Sequence, residues 1–474
     1  MKMGNQKGKS GSFVERYFEL TKYGTNVKTE IIAGITTFVT MAYVLLVIPN
    51  LLKAAGMNVP GLLGDEANAL TIFNDPIVGA LFTATCLIST YGTLQMGIFA
   101  KLPFATAPGL GLTAFFAYTV VVDLGYTWQQ GLAAVAISGI LFIIITVTSI
   151  REKIIDALPM NLRTAIGAGV GLFITLVGLK SGGVIVSNPA NLVGFGDFTS
   201  PAVLLTLIGI VITAILMAKN VTGAMLISII LTTIIGIPMG ITNIEGIKLF
   251  SAPPSIAPTF LKWDFAGLLG NGEGGFIGAL INIGMVVMTI SFVDLFDNIG
   301  TLLGTAQRGN MIEPDGKVRN MNRALLSDSI ATTLSSFLGT TTTSTYVEST
   351  AGIAAGGRTG LASVVTGILF AASLFLSGVI GVVPTQATAP ALVIVGVLMI
   401  QSVVDIDFSD FTEAVPAFFT LAIMPFTFSI ANGVAAGIIF YPIMKLVTGR
   451  HKEVNPIMYI LAILFIVRFA LLPN

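Results

Sequence analysis

Apolar stretches follow one another along this chain with little between them. A helix needs roughly 20 apolar residues to cross a bilayer. Runs of that kind read at about 29–52, 77–99, 105–122, 129–149, 161–181, 200–217, 221–239, 278–305, 322–338, 345–357, 360–380, 386–404, 411–428 and 430–448. A last apolar stretch lies at about 456–471, and no charge run or linker is large enough to be a separate soluble domain. Only 10% of the residues are charged, against about 25% in soluble domains, so the pattern is that of an integral membrane protein. Lys+Arg and Asp+Glu balance at 24 each, which points to no nucleic-acid partner. The lone Cys86 excludes an intramolecular disulfide framework and a multi-cysteine metal site. The lone His451, in a polar "GRHKE" stretch, argues against a histidine-based metal site or triad. No enzyme, cofactor or metal is therefore expected. The basic, polar N-terminus does not read as a signal peptide.

Lys and Arg in short loops mark the cytoplasmic side. Lys2, Lys7, Lys9, Arg16, Lys22 and Lys28 put the N-terminus inside. The loops after even-numbered segments carry Lys101, then Arg151, Lys153 and Arg163, then Arg308, Lys317, Arg319 and Arg323, then Arg358. The opposite loops hold mainly Asp65, Glu66, Asp123 and Asp197, with Lys53 and Lys248 as exceptions. Two readings of the tail stay open. Either 456–471 is an interfacial helix or a fifteenth crossing, or 411–448 is one bent span and 456–471 the fourteenth.

Two segments are broken. "KLPFATAPGLGLTAFFAYTVV" carries Pro103, Pro108, Gly109 and Gly111, which leave a short helix from about Leu112. "LGTTTTSTYVESTAGIAAGGRTG" has a threonine run, which favours extended backbone, then a short helix. Irregular backbone at membrane depth is tolerated only where protein or a cavity surrounds it. Interrupted segments at matching positions in two halves point to a transporter binding site. These are the third and the tenth, seven apart, so the second half is inverted relative to the first. The expected fold class is an all-α integral membrane protein of about fourteen transmembrane segments in two inverted seven-segment repeats, about 29–240 and 278–448.

"SFVDLFDNIGT" places Asp294 and Asp297 at i and i+3 inside an apolar segment, on one helix face. A charge at mid-membrane costs about 2.5–3.5 kcal/mol on insertion scales, which argues for a polar cavity beside them. Either of them serves a neighbouring broken helix if it does not face a ligand. Thr345-Tyr-Val-Glu348 fits a capping box, and a helix N-terminus with its free N–H donors is also a place for a ligand. Thr113 and Tyr346 are candidates for the same cavity. Phe115 and Phe116 stack on a flat ligand or pack ordinarily, the second being the simpler reading. Glu30 reads as interfacial, and Asp405, Asp407, Asp410 and Glu413 as a solvated loop. Ionised carboxylates repel anions and suit a ligand rich in N–H donors, or a cation. Withdrawn from water, a carboxylate can also hold a proton near neutral pH. The residues thus lead to a proton-coupled carrier of a small, polar, hydrogen-bonding solute.

"IIAGITTFVTMAYVLLVIPNLLKAAG", "APGLGLTAFFAYTVV", "SFVDLFDNIGTLLGTA", "TTTTSTYVESTAGIAAGGRTGL" and "AVPAFFTLAIMPFTFSIANG" resemble, in order and over essentially the whole chain, the hypoxanthine/guanine/adenine permeases, the azaguanine-transporter-like branch of the nucleobase–ascorbate transporter superfamily. The resemblance implies a core of segments 1–4 and 8–11 and a gate of segments 5–7 and 12–14. On that division 1–28 is a cytoplasmic tail, 29–160 and 278–383 are core, 161–240 and 384–474 gate, and 241–277 an extracytoplasmic loop. Segments 3 and 10 would meet as short strands plus half-helices, with a purine between them against segment 8. Asp294 and Glu348 would contact the base, and Asp297 would support the site or the proton pathway. The half-helix ends near Thr113 and Thr345 would add backbone contacts, with Tyr346 and Phe115 as possible stacking partners. Uptake across the cytoplasmic membrane would be proton symport, with Asp297, Glu348 and Asp294 as proton-coupling residues and an elevator-like shift of core against gate. Homodimers are common in this fold.

Two positions depart from the family: Thr113 stands where "PGxGxNA" has asparagine, and Ile48 turns "VNP" into "VIP". Asparagine offers a base edge a donor and an acceptor where threonine has one hydroxyl. That keeps a pyrimidine, a xanthine-like base or a modified base as alternative substrates. An anion carrier of the related sulfate-transporter type fits poorly with three acids at the site. An intramembrane aspartyl protease needs aspartates from two helices, whereas Asp294 and Asp297 share one.

Overall fold

The computed structural model describes residues 12–148, 158–188, 192–244, 250–270, 275–309, 311–312 and 318–471. Lys2, Lys7, Lys9, Arg151, Lys153, Lys248 and Lys317, which entered the topology reading, lie outside these residues. Among the described residues eight helices are long and apolar enough to cross a membrane, and they coincide with expected segments 1, 2, 4, 5, 6, 11, 12 and 14. Segments 7 and 13 are shorter apolar helices, Ala224–Gly236 and Phe411–Phe426. Segment 8 is the helix Gly275–Arg308, and segment 9 is Met321–Leu338. The chain is a multi-pass membrane protein.

Segment 9 is the most polar of these helices. It buries Ser327, Asp328, Thr332, Ser335 and Ser336, which hydrocarbon would not tolerate. It packs instead against segments 2 and 4, where protein groups can meet its hydroxyls. The helices sort into two packing groups. In one, segment 11 lies on segments 1 and 2, segment 9 on 2 and 4, and segment 8 on 4. In the other, segment 12 lies on 5, 6 and 7, and segment 13 on 5 and 14. Only smaller contacts join the groups, among them segment 12 with segment 1 and the half-helix of segment 3 with segment 5.

Segments 13 and 14 are two helices, not one bent span. Phe411–Phe426 and Ile430–Val447 fold back on each other through Phe428, whose φ of 53° is left-handed. They approach so closely that a Cβ on Gly433 would strike Met424 and one on Gly437 the Thr420 hydroxyl. The helix Pro456–Leu471 packs on segments 14 and 8. A strand pair foreseen nowhere in the sequence, Ile185–Asn188 with Leu192–Phe195, follows segment 5.

Two polar expectations are corrected. Glu30 is not interfacial but fully buried, and its carboxylate accepts from the N–H groups of Arg358, Thr359 and Ala362, which start segment 11. The acids at 410 and 413 are not simply solvated. Asp410 caps segment 13 and accepts from Arg450 at 2.5 Å, while the buried Lys445 pairs with Glu413 at 2.8 Å and Glu453 at 2.9 Å. The Thr412 hydroxyl and the Arg450 guanidinium hold the Asp410 carboxyl well below the usual range. Arg450 and Lys445 hold Glu453 down to about 2.

Candidate substrate site

Segment 3 enters as strand β1, Thr106–Pro108, and continues as the half-helix Leu110–Ala114, which loosens into wider turns over Phe115–Asp123. Segment 10 enters as strand Thr343–Thr345 (β4, the hairpin after segment 5 supplying β2 and β3), followed by the half-helix Ser349–Ala354. The strands pair antiparallel, Thr106 opposite Thr345, Ala107 opposite Ser344 and Pro108 opposite Thr343. Gly109 N–H to Thr342 O (2.9 Å) and Tyr346 N–H to Ala105 O (3.0 Å) extend the ladder. The two breaks thus satisfy each other's backbone groups at membrane depth, as the absence of water demands. Gly109 is required by this approach: a Cβ there would lie 2.8 Å from the Ser344 hydroxyl.

Segment 8 pins this ladder from one side. Asn298 accepts from Thr345 N–H at 2.8 Å and donates its amide to Asp294 at 2.7 Å and to Asp328 of segment 9 at 2.8 Å. Asp328 also accepts from the Thr343 hydroxyl at 3.3 Å. Asp294, Asn298 and Asp328 are all buried, at 1%, 0% and 2% exposure. Every polar atom of the Asn298 amide is used, so one side chain ties two carboxylates to the backbone of β4.

Asp297 lies one turn on and is only half-buried, as is Glu348. The Asp297 carboxylate meets the Ser344 hydroxyl, and Asp297, Tyr346 and Glu348 are within electrostatic reach of one another. Glu348 accepts from the Tyr43 hydroxyl at 2.6 Å. Tyr43 sits where segment 1 is offset, between Val27–Met41 and Val44–Ala54. The Tyr346 hydroxyl donates to Pro108 O at 2.5 Å, which sets its ring across the strand pair.

The structure divides the expected residues. It brings Asp297, Glu348 and Tyr346 together, and it encloses Asp294 in the network behind the strands. Of the two aspartates, anticipated as base contact (Asp294) and support (Asp297), Asp294 is the more enclosed and Asp297 the less buried. The capping box is absent: Thr345 lies in β4, its hydroxyl is unpartnered, and Glu348 stands at the N-cap with its side chain turned to Tyr43. Thr113 is fully buried, with its hydroxyl 2.7 Å from that of Thr341, so it joins the two broken segments directly. Phe115 and Phe116 are packed in the apolar interior, and Ile48 is buried there too. Tyr43, Asn298, Ser344 and Asp328 were not anticipated. Asn298 carried a signal, an amide four residues from Asp294 in an apolar helix. Tyr43 carried none, because its partner lies 305 residues away.

Residues 28–436 match a family model described as a permease family. The chain is similar to the adenine permease AdeP of Escherichia coli, 42% identical over 455 residues that cover 96% of this chain and 95% of the relative. It is also similar to the guanine/hypoxanthine permease PbuG of Bacillus subtilis, 42% identical over 460 residues covering 97% and 100%. Among solved structures it resembles the transmembrane domain of a cyanobacterium bicarbonate transporter, BicA, with a TM-score of 0.58 and 16% identity over 87% of this chain and 97% of that one. At that identity the likeness concerns the fold alone. The chain is thus a permease and not an enzyme, and it belongs to the nucleobase–ascorbate transporter superfamily that its motifs resemble.

Proposed function

We propose that this permease takes up purine nucleobases across the cytoplasmic membrane, with its N-terminus inside, by proton symport. The observation that carries the reading is the pair of half-buried carboxylates, Asp297 from segment 8 and Glu348 from segment 10, at the junction of the paired breaks. Two acceptors suit the N–H edge of a purine, and the Tyr346 ring lies beside them. The adenine and guanine/hypoxanthine permeases among the relatives support a purine over other solutes. Asp297 and Glu348 are assigned to the base, while Asp294 holds the site's shape through Asn298. Proton coupling is assigned to the same two half-buried carboxylates, since each can take up a proton when a ligand excludes water from it.

The two packing groups support a core of segments 1–4 and 8–11 and a gate of segments 5–7 and 12–14. Both broken segments belong to the first group, so a shift of that group would carry the site with it. The homodimer that the resemblance implies is checked by cross-linking in membranes. Competition of labelled hypoxanthine uptake by adenine, guanine, xanthine and uracil, at two pH values and with a protonophore, tests the whole reading. Uptake competed by purines and collapsed by the protonophore is expected. Competition by uracil or xanthine alone would move the substrate to another base, a reading kept open by Thr113 in place of an amide.

A further inference from the structure

Segment 1 carries a second feature on the stripe that begins at Tyr43. Positions 43, 46, 50 and 53 fall on one helix face, and Leu46, Asn50 and Lys53 line a cavity of about 570 Å³ at the end of the segment remote from its N-terminus. The other walls are the loop 68–74, Val78 and Phe82 of segment 2, Ile241 and Asn243 after segment 7, and the turn 380–386 that leads into segment 12. The volume lies in the ordinary range of small-molecule sites, about 300–1,000 Å³. Under the proposed orientation the cavity is on the outer side, where the two packing groups meet. Asn50 donates to Thr388 of segment 12 at 3.3 Å, closing the wall between them.

The charge in this cavity is the opposite of that in the central site. Lys53 is 4% exposed and donates to Leu70 O at 3.0 Å. Among the described residues it pairs with no carboxylate, and no acidic side chain lines the cavity. An ammonium has three donors, so two remain beyond Leu70 O. The Thr385 hydroxyl, also in the lining, is buried and unpartnered. Burying a cation with one carbonyl as its partner is costly, and acceptors on a ligand would offset that cost.

We propose that this cavity is an antechamber site for oxopurines, resting on the purine reading above. Lys53 would bind the acceptor edge, O6 and N7, which guanine and hypoxanthine present. Adenine puts an amino donor in place of O6, and an ammonium has no acceptor for it. The central carboxylates read N–H donors and Lys53 reads acceptors, so the two sites sample complementary edges of one base.

The test is concentration-dependent uptake of labelled hypoxanthine, guanine and adenine by cells without their own purine permeases, at matched surface expression. Lys53→Met should raise KM for hypoxanthine and guanine on the order of tenfold and shift KM for adenine by less than about twofold. Lys53→Arg should keep all three near wild type. If Lys53→Met fails to reach the membrane, Lys53→Gln is measured instead, with the same selectivity at smaller size. Equal effects on all three bases, or none, overturn the antechamber while leaving the purine reading intact. A wild-type protein that carries none of the three overturns both, and one that carries adenine alone overturns the antechamber.

Discussion

Segment 3 lays down Thr106–Pro108 and then a half-helix from Leu110, and segment 10 lays down Thr343–Thr345 and then a half-helix from Ser349. Their backbones are matched, because each supplies the ladder partners the other lacks. Their side chains are not. Segment 3 turns Thr113 inward to Thr341 and brings no charge to the junction. Segment 10 brings Glu348 and Tyr346, both tied to residues of other segments. The architecture comes from the pair, and the chemistry comes from one member with its neighbour, segment 8. A second contrast lies within segment 8: Asp294 is buried and accepts from Asn298, whereas Asp297, one turn away, is only half-buried and is the one proposed to meet a ligand.

Five experiments would break or sharpen this contrast. The largest effect is expected at the half-buried carboxylates. Asp297→Asn and Glu348→Gln should each reduce uptake to background with normal amounts of protein in the membrane, and wild-type transport by either would remove the site assignment. Asn298→Leu comes next. It strands Thr345 N–H and takes one donor from each of Asp294 and Asp328, a lost partner costing a buried polar group about 1–3 kcal/mol, so the purified protein should lose thermal stability and expression should fall. An unchanged melting temperature would mean that the network carries no weight.

Asp294→Asn should be milder, because an amide oxygen can still accept from Asn298. A measurable fraction of uptake should remain, and complete loss with intact folding would return Asp294 to the base. Tyr43→Phe removes one hydrogen bond to a carboxylate, worth about 1.5–3 kcal/mol, and should lower Vmax/KM on the order of tenfold. The smallest effect is at Thr113. Replacing it by Asn restores the family's amide and should alter the order in which bases compete; an unchanged order would mark the position as structural.

Much of this molecule could be read in one dimension. Runs of twenty apolar residues can only cross a membrane, so the segments followed from length and composition. Prolines and glycines cannot continue a helix, so both breaks were visible, as was their inverted relation. Charges in lipid are costly, so Asp294, Asp297 and Glu348 stood out. What the sequence left undecided was which way each side chain turned. Two carboxylates at i and i+3 share a face, yet a few tens of degrees of rotation separate the one that meets Asn298 from the one that meets Ser344. Tyr43 drew no attention and Lys53 only as an exception to the loop-charge rule, since a tyrosine in an apolar run and a lysine at its end are ordinary until their surroundings are known. Burial and partnership arise between segments hundreds of residues apart, and only the packed structure fixes them.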